Sequence, residues 1–282
     1  MPGTIDAEGP RLPLSTHAHA AYDRAGPRDG LPLLLVHAGI ADRRMWNDVW
    51  PGLTSRRDVI RLDLRGYGES STPPDGSWSH RSDIRSCLDE LGIDRVHLIG
   101  CSYGSGICAE LALDFPDLVA SMVLCAPGGS LLTERTDDLA RFLDAENAAL
   151  EHGDVEAATE ANVVHWVDGP HRGPDAVAPA VRAAVREMQR RAFEVALAWP
   201  DEVWEAEDEI SPEPAERLGD IECPVLVLCG DLDMDTVRGT ADLLAAELPD
   251  VRRIDWPDVA HLPSMERPDD FVELVLDWVD GS

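Results

Sequence analysis

Ser102 is the residue whose surroundings most directly suggest chemistry. It stands at the centre of Gly-Cys-Ser-Tyr-Gly (100–104), between a strand-like apolar run (95–99) and a helix-like stretch (105–113). A serine between two glycines on a sharp strand-to-helix turn is typical of an exposed nucleophile, because the glycines keep side chains off the bent backbone. The helix would direct its unpaired N–H groups at negative charge forming near the hydroxyl. An ordinary glycine-rich turn is the alternative that the motif alone leaves open.

A nucleophilic serine needs a histidine base and a carboxylate that orients the histidine. His261 is the candidate base, because it directly follows the last strand-like run. We predict that His97 and His165 are structural. Five other histidines lie in polar or loop-like segments and are predicted to be solvated: His17, His19, His80, His152 and His171. Asp231 and Asp233 follow another apolar run, and both are candidates for the carboxylate.

Strand-like and helix-like segments alternate along most of the chain. The strand-like segments occupy 31–36, 58–64, 95–100, 118–125, 224–229 and 251–256, and several of them are continuous apolar runs. Such runs, separated by helical patterns, predict an α/β fold: a mostly parallel sheet sandwiched by helices. Ser102, His261 and both aspartates follow strands, so they would gather at the carboxyl edge of that sheet.

One segment, from about 131 to 218, interrupts the alternation with long helical patterns and no clear strand. Its longest pattern, at 174–199, repeats apolar residues every three or four positions, which is typical of one buried helix face. We therefore predict a core formed by residues 1–130 and 219–282, and an inserted all-helical cap formed by residues 131–218. The cap would lie over the carboxyl edge of the sheet.

Several stretches resemble the α/β-hydrolase-fold family, and they cover nearly all of the chain outside the cap. They are 35–40 with Trp46, 63–70, 100–104, 224–233, and 260–263 with 266–268. The order serine, aspartate, histidine along the chain is also the order of that family. The resemblance implies the α/β-hydrolase fold, with Ser102 as nucleophile, His261 as base, and Asp233 rather than Asp231 as the orienting acid.

The resemblance also implies an oxyanion hole made by the backbone N–H groups of Gly39 and Tyr103. This loop reads His37-Ala38-Gly39-Ile40, with alanine where the family has glycine, and His37 is interpreted as structural. The candidate substrate-binding residues are Ile40, Trp166, Trp199 and Trp204. The three tryptophans have an alternative role, which is to seal the cap onto the core.

Composition excludes several kinds of partner. The 282 residues carry a net charge of −30 with arginine as the only basic residue, and such a surface repels nucleic acid and anionic lipid. No apolar run reaches the ~20 residues that span a membrane, and the first eight residues lack signal-peptide features, so we expect a cytoplasmic monomer or homodimer. The six cysteines are expected to be free thiols, and no motif implies a metal or other cofactor.

The chemistry expected of these residues is hydrolysis through an acyl-enzyme. We predict a serine hydrolase, carboxylesterase-like, that acts on a small, largely apolar ester or lactone. A carbon–carbon bond hydrolase of diketone ring-cleavage products and a cofactor-free perhydrolase would use the same three side chains. A ligand-binding member of the fold without activity is less consistent with the sequence, because binding alone requires neither the base nor its acid.

Overall fold

An eight-stranded, mostly parallel sheet is the centre of the computed structural model, which describes residues 9–14 and 19–281. The strands are β1 (Arg11–Pro13), β2 (His19–Ala25), β3 (Leu33–Val36), β4 (Val59–Leu62), β5 (Val96–Cys101), β6 (Val119–Cys125), β7 (Val225–Gly230) and β8 (Val251–Trp256). Their order across the sheet is β1-β2-β4-β3-β5-β6-β7-β8. The first eight residues and His17, to which the sequence predictions refer, lie outside the described part of the chain.

Only β2 runs against the other strands of the sheet. β1 pairs antiparallel with β2 and β2 pairs antiparallel with β4, whereas β3 to β8 are parallel. The central strands β3, β5 and β7 are buried along their whole length, as expected for apolar runs covered on both faces. The edge strand β8 is half-exposed. The predicted fold class, a mostly parallel sheet sandwiched by helices, is confirmed.

Helices follow most of the strands. The helices are α1 (Trp50–Thr54), α2 (His80–Glu90), α3 (Tyr103–Asp114), α4 (Asp137–Glu151), α5 (Val155–Asn162), α6 (Pro179–Ala198), α7 (Asp201–Glu205), α8 (Asp235–Glu247), α9 (Pro263–Glu266) and α10 (Pro268–Gly281). Local caps fix several starts: the Ser79 hydroxyl accepts the Ser82 N–H at α2, and the Asp154 carboxylate accepts the Ala157 N–H at α5. α5 continues directly into a π-helical turn, Val163–Asp168.

The helices α4 to α7, together with the π-helical turn, lie between β6 and β7, and we refer to them as the inserted helices. α6 buries one face, which is formed by Val181, Val185, Met188, Gln189, Ala192 and Val195. Two hydrogen bonds tie α4 and the loop before it to the start of α8: Asp138 Oδ2 accepts the Asp235 N–H at 2.7 Å, and the Thr236 hydroxyl donates to the Glu134 carbonyl at 2.8 Å. α8 follows β7, so these bonds hold the inserted helices at the carboxyl end of the sheet.

The cysteines carry no disulfide in the described structure, in line with the expected free thiols. Five are buried, and Cys223 is half-buried. Within residues 9–14 and 19–281, no helix is long and apolar enough to cross a membrane.

Candidate active site

Ser102 lies on a strained turn between β5 and α3. Its backbone has φ 54° and ψ −116°, a conformation that L-residues rarely adopt. The flanking glycines leave no room for side chains: a Cβ at Gly100 would lie 2.5 Å from the Gly104 carbonyl oxygen, and a Cβ at Gly104 would lie 2.3 Å from the Val36 carbonyl oxygen. Both glycines are therefore required for the close approach of α3 to the sheet, as the motif predicts.

The candidate base and acid form a buried pair. His261 Nδ1 lies 3.0 Å from Oδ1 and 2.9 Å from Oδ2 of Asp233, and both side chains are 1% exposed. Because a carboxylate only accepts hydrogen bonds, Nδ1 donates, and the neutral ring keeps an acceptor at Nε2. Asp231 is exposed, and its N–H donates to the Trp256 carbonyl instead. The structure thus brings Asp233, and not Asp231, to His261.

His37 fixes the loop that carries the first candidate oxyanion donor. Its Nε2 accepts the Leu64 N–H at 3.0 Å, so Nδ1 carries the proton and donates to the Ala38 carbonyl at 2.9 Å. Burial lowers the pKa of His37, which keeps the ring neutral in this role. The alanine that departs from the family pattern is fully buried, and its N–H contacts Met45 Sδ at 3.3 Å. The loop is therefore well supported with alanine in place of glycine.

The two candidate oxyanion donors are neighbours in the structure. A Cβ at Gly39 would lie 3.4 Å from Cβ of Tyr103, the residue that follows Ser102. Tyr103 opens α3, so its N–H has no intrahelical acceptor. Within the described residues, the Gly39 N–H also has no hydrogen-bond acceptor. Two amides in this arrangement can stabilise an oxyanion at the Ser102 side of the loop.

Ser102 and His261 line one cavity of about 270 Å³ between the sheet and the inserted helices. Gly39 and Ile40 form part of its wall, as does Trp166, so these sequence predictions meet at one place. The remaining wall residues are Gly128, Gly129, Leu132, Phe142, Glu146, Asn162, Gln189, Phe193 and Val237. A Cβ at Gly128 would lie 3.2 Å from Ser102 Oγ, so this glycine leaves the hydroxyl accessible.

Comparison with known proteins identifies the family. A family profile described as alpha/beta hydrolase fold matches residues 32–268. The chain belongs to the α/β-hydrolase-fold family. Proline iminopeptidase from Lactobacillus delbrueckii subsp. bulgaricus is 25% identical over 271 residues, which are 89% of this chain and 90% of that protein.

Two solved structures show the same architecture. A hydrolase from Pseudomonas aeruginosa PA01 is 26% identical with a TM-score of 0.77, covering 97% of this chain and 99% of that one. The enol-lactonase from Burkholderia xenovorans LB400 is 22% identical with a TM-score of 0.76, covering 96% and 100%. The protein is therefore a hydrolase of the α/β fold. The relatives differ in the compounds that their names give, so their substrates are not carried over to this chain.

Two of the three candidate tryptophans of this α/β hydrolase lie outside the wall of the Ser102 cavity. Trp199 and Trp204 stack on each other with ring centroids 5.0 Å apart, and both contact Trp78 of the core. The Trp199 indole N–H donates to the Ser71 carbonyl at 3.1 Å. This placement favours the alternative that Trp199 and Trp204 seal the inserted helices onto the core.

Trp166 contacts the hydrolase's candidate base directly. Its ring centroid lies 4.5 Å from that of His261, with 42° between the planes, and Trp166 is 8% exposed. The residue sits in the π-helical turn, and turns of this kind are frequent at functional sites. The sequence marked Trp166 for substrate binding but gave no signal of a contact with His261.

An ion pair that the sequence did not predict supports the loop of the base. Glu266 Oε1 accepts the Ala260 N–H at 3.0 Å, and Oε2 pairs with Arg172 at 2.5 Å. Arg172 also donates to the Asp258 carbonyl at 3.0 Å. A residue located between α5 and α6 thus holds the backbone on the N-terminal side of His261.

His80 corrects a prediction, because it is buried rather than solvated. Its ring packs against Tyr103 and Trp78, with centroids 5.5 and 5.1 Å away, and burial lowers its pKa to about 3. His97 is buried, as expected of a structural histidine, with Nδ1 2.8 Å from the Ser121 hydroxyl. Among the described residues, no group of three or more His, Cys, Asp or Glu side chains is arranged to hold a metal ion.

Proposed function

We propose that this α/β hydrolase is a serine hydrolase that cleaves a small, largely apolar ester or lactone through an acyl-enzyme. The observation that carries the proposal is the buried pair of His261 with Asp233 beside a cavity that Ser102 also lines. A histidine oriented in this way is a general base, and a serine on a strained elbow is the group that such a base activates.

In the first half of the reaction Ser102 forms the acyl-enzyme. Its Oγ attacks the acyl carbon while the hydroxyl proton passes to Nε2 of His261, and Asp233 stabilises the imidazolium that results. Collapse of the tetrahedral intermediate breaks the bond to the alcohol, which leaves with the proton from Nε2. In the second half water attacks the acyl carbon, gives its proton to Nε2, and the acid departs as Ser102 Oγ is reprotonated.

The backbone N–H groups of Gly39 and Tyr103 would hold the negative charge that develops on the acyl oxygen. Donors fixed before the reaction need no reorganisation, and removal of one such donor costs about 10²–10³ in kcat in other serine hydrolases. The hydrogen bonds of His37 support this role, because they fix the loop before Gly39 to the end of β4.

The cavity supports a small and largely apolar substrate. A volume of about 270 Å³ lies just below the usual range for small-molecule sites, which begins at about 300 Å³. Apolar side chains make up much of the wall: Ile40, Leu132, Phe142, Trp166, Phe193 and Val237. No arginine lines the cavity within the described residues, so the site offers no cation to a carboxylate-bearing compound.

The experiment that tests the proposal is a panel of p-nitrophenyl esters and lactones, with diketones as the carbon–carbon alternative and peracid formation as the perhydrolase alternative. Ser102→Ala should lose about 10⁴–10⁶ in kcat while keeping its melting temperature. A fluorophosphonate probe should label the wild type and the exposed-serine control Ser55→Ala, but not Ser102→Ala. More than a tenth of wild-type activity in Ser102→Ala would overturn the assignment of the nucleophile.

A further inference from the structure

Three polar side chains line the Ser102 cavity, although most of its wall is apolar. Glu146, Asn162 and Gln189 come from three different inserted helices, α4, α5 and α6. Each lies among aromatic or aliphatic neighbours of the same cavity. Polar groups are costly in such a place unless they have partners, so their presence calls for an explanation.

Gln189 is the side chain without a partner. It is 5% exposed, and its Oε1 has no hydrogen-bond partner within the described residues. In the orientation that the structure gives, this oxygen is an acceptor without a donor. Solvent does not supply the missing hydrogen bond, because Gln189 lies on the buried face of α6. A buried amide that lines a cavity and lacks a partner is suited to bind a ligand.

The neighbouring Asn162 has a fixed orientation. Its Nδ2 donates one hydrogen bond to the Ala158 carbonyl at 3.0 Å and the other to Oε2 of Glu146. Both N–H groups of the amide are therefore used, and Oδ1 remains as an acceptor. Asn162 is 2% exposed, so this orientation is held inside the protein.

Glu146 adds a carboxylate to the same wall. Its hydrogen-bond donor among the described residues is Asn162. A carboxylate only accepts hydrogen bonds when ionised. Together with Asn162 Oδ1 and Gln189 Oε1, this wall presents acceptors to whatever occupies the cavity.

We propose that Glu146, Asn162 and Gln189 form a subsite that binds an N–H donor of the substrate, so that the substrate is an ester or lactone carrying an amide or ammonium N–H. The apolar wall accommodates the hydrocarbon part, and the acceptors select compounds that also bring a donor. A carboxylate at the same position would meet Glu146 and be rejected. This inference rests on the proposed function, because it assigns a substrate class to the Ser102 site.

The test compares five p-nitrophenyl acyl esters that differ only at the end of the acyl chain. Four of them end in an isobutyl, acetamido, N-methylacetamido or carboxylate group. The fifth, an aminoalkyl ester, brings a charged donor. The wild type should prefer the acetamido ester over both the isobutyl and the N-methylated ester by about tenfold in kcat/KM, the factor expected of one hydrogen bond. The aminoalkyl ester decides whether a neutral or a charged N–H binds better. The carboxylate ester should be the poorest substrate.

Two variants assign the preference to these residues. Gln189→Leu should lower kcat/KM for the acetamido ester about tenfold more than for the isobutyl ester, which a general loss of structure would not do. Glu146→Gln should raise kcat/KM for the carboxylate ester about tenfold. Its control is Glu151→Gln, which alters an exposed carboxylate on the same helix and should change neither ratio.

The outcomes separate this inference from the proposed function. Absence of Ser102 labelling and of all ester hydrolysis would refute the proposed function itself. Two outcomes would overturn the subsite alone. In the first, Ser102 is labelled and esters are hydrolysed, but the acetamido and N-methylated esters react at equal rates. In the second, the donor preference persists in both Gln189→Leu and Glu146→Gln. Should Gln189→Leu fail to fold, the Glu146→Gln ratios and the wild-type ester series still decide the question.

Discussion

Replacing Asp233 by asparagine should disable the base while leaving the fold intact. Asp233 Oδ1 accepts the Met234 N–H at 2.8 Å, in addition to its contact with His261 Nδ1. An asparagine must keep its oxygen at this position, so its NH₂ group would take the place of Oδ2, 2.9 Å from Nδ1. Two donors cannot bond to each other, so the imidazole proton would move to Nε2, where Ser102 needs an acceptor.

The size of the effect follows from this exchange of tautomers. Serine enzymes that lose the orienting carboxylate in the same way lose about 10⁴ in kcat. That factor corresponds to about 5.5 kcal/mol of transition-state stabilisation, at ~1.4 kcal/mol for each tenfold change. Stability should change much less, because the amide has nearly the shape of the carboxylate and keeps the bond from Met234.

The assay is steady-state hydrolysis of the best p-nitrophenyl ester, combined with the rate of fluorophosphonate labelling and with thermal unfolding. Asp231→Asn is the matched control, since Asp231 is exposed and makes no contact with His261 within the described residues. We expect wild-type kcat in the control and a loss of about 10⁴ in Asp233→Asn. If Asp233→Asn kept more than a tenth of the activity, the tautomer argument would be refuted.

The other predictions concern the cavity wall, the loop before His261 and the half-buried carboxyl group of Glu207. Trp166→Leu should shift kcat/KM ratios towards longer acyl chains about tenfold. Trp199→Leu should instead lower the melting temperature and leave these ratios unchanged. Equal shifts in both variants would contradict the assignment of Trp166 to the cavity wall and of Trp199 to the seal. Arg172→Gln should lower the free energy of unfolding in urea by about 3 kcal/mol, because it leaves the largely buried carboxylate of Glu266 without its cation. Burial, with Glu110 and Glu209 nearby, raises the pKa of Glu207 from 4.5 to about 7, so the folded state binds the extra proton and stability falls as pH rises from 4.5 to 7. Urea unfolding should therefore find Glu207→Gln about 1–2 kcal/mol more stable than the wild type at pH 8, after allowance for partial exposure, and equal to it below pH 4.5, with Glu205→Gln unchanged at both.

The central strands and the elbow could be predicted because their signals are local. β3 and β5 to β7 begin and end within about two residues of the predicted runs, since a strand buried on both faces must be apolar throughout. The elbow motif needs small residues at Gly100 and Gly104 for contacts with the next helix and strand. The choice of Asp233 over Asp231 came from the family pattern, because both follow β7 and nothing local separates them.

The strands β1 and β2 and one helix start could not be predicted, because distant residues fix them. β2 has only Ala20 and Ala21 buried, so it shows no alternating apolar pattern, and its place comes from pairing with β4. The helical pattern of the sequence spans 240–248, but α8 begins five residues earlier, at Asp235. Its first turn is polar, and Asp138 of an inserted helix accepts the Asp235 N–H.

The polar residues of the cavity were missed for a related reason. Glu146, Asn162 and Gln189 lie on different helices and are far apart in the sequence, so only the packing of those helices brings them to one wall. Gln189 follows Met188 on the buried face of α6, where a single polar residue does not disturb an apolar pattern. All three tryptophans were predicted from the sequence to bind substrate or to seal the cap. In the structure only Trp166 lies in the π-helical turn, beside the cavity.

The inserted helices and the loop after them contact His261 and the loop of Asp233 in addition to enclosing the cavity, and this would link substrate entry to the proposed catalysis. Gly169 passes so close to the loop of Asp233 that a Cβ there would lie 2.6 Å from a backbone oxygen of that loop. Arg172 bonds to the backbone before His261, and Trp166 covers its ring. A movement of these helices that widened the cavity would therefore disturb the acid and the base together. For this reason we expect Arg172→Gln to reduce kcat more than it raises KM; a change confined to KM would show that the helices only gate the substrate.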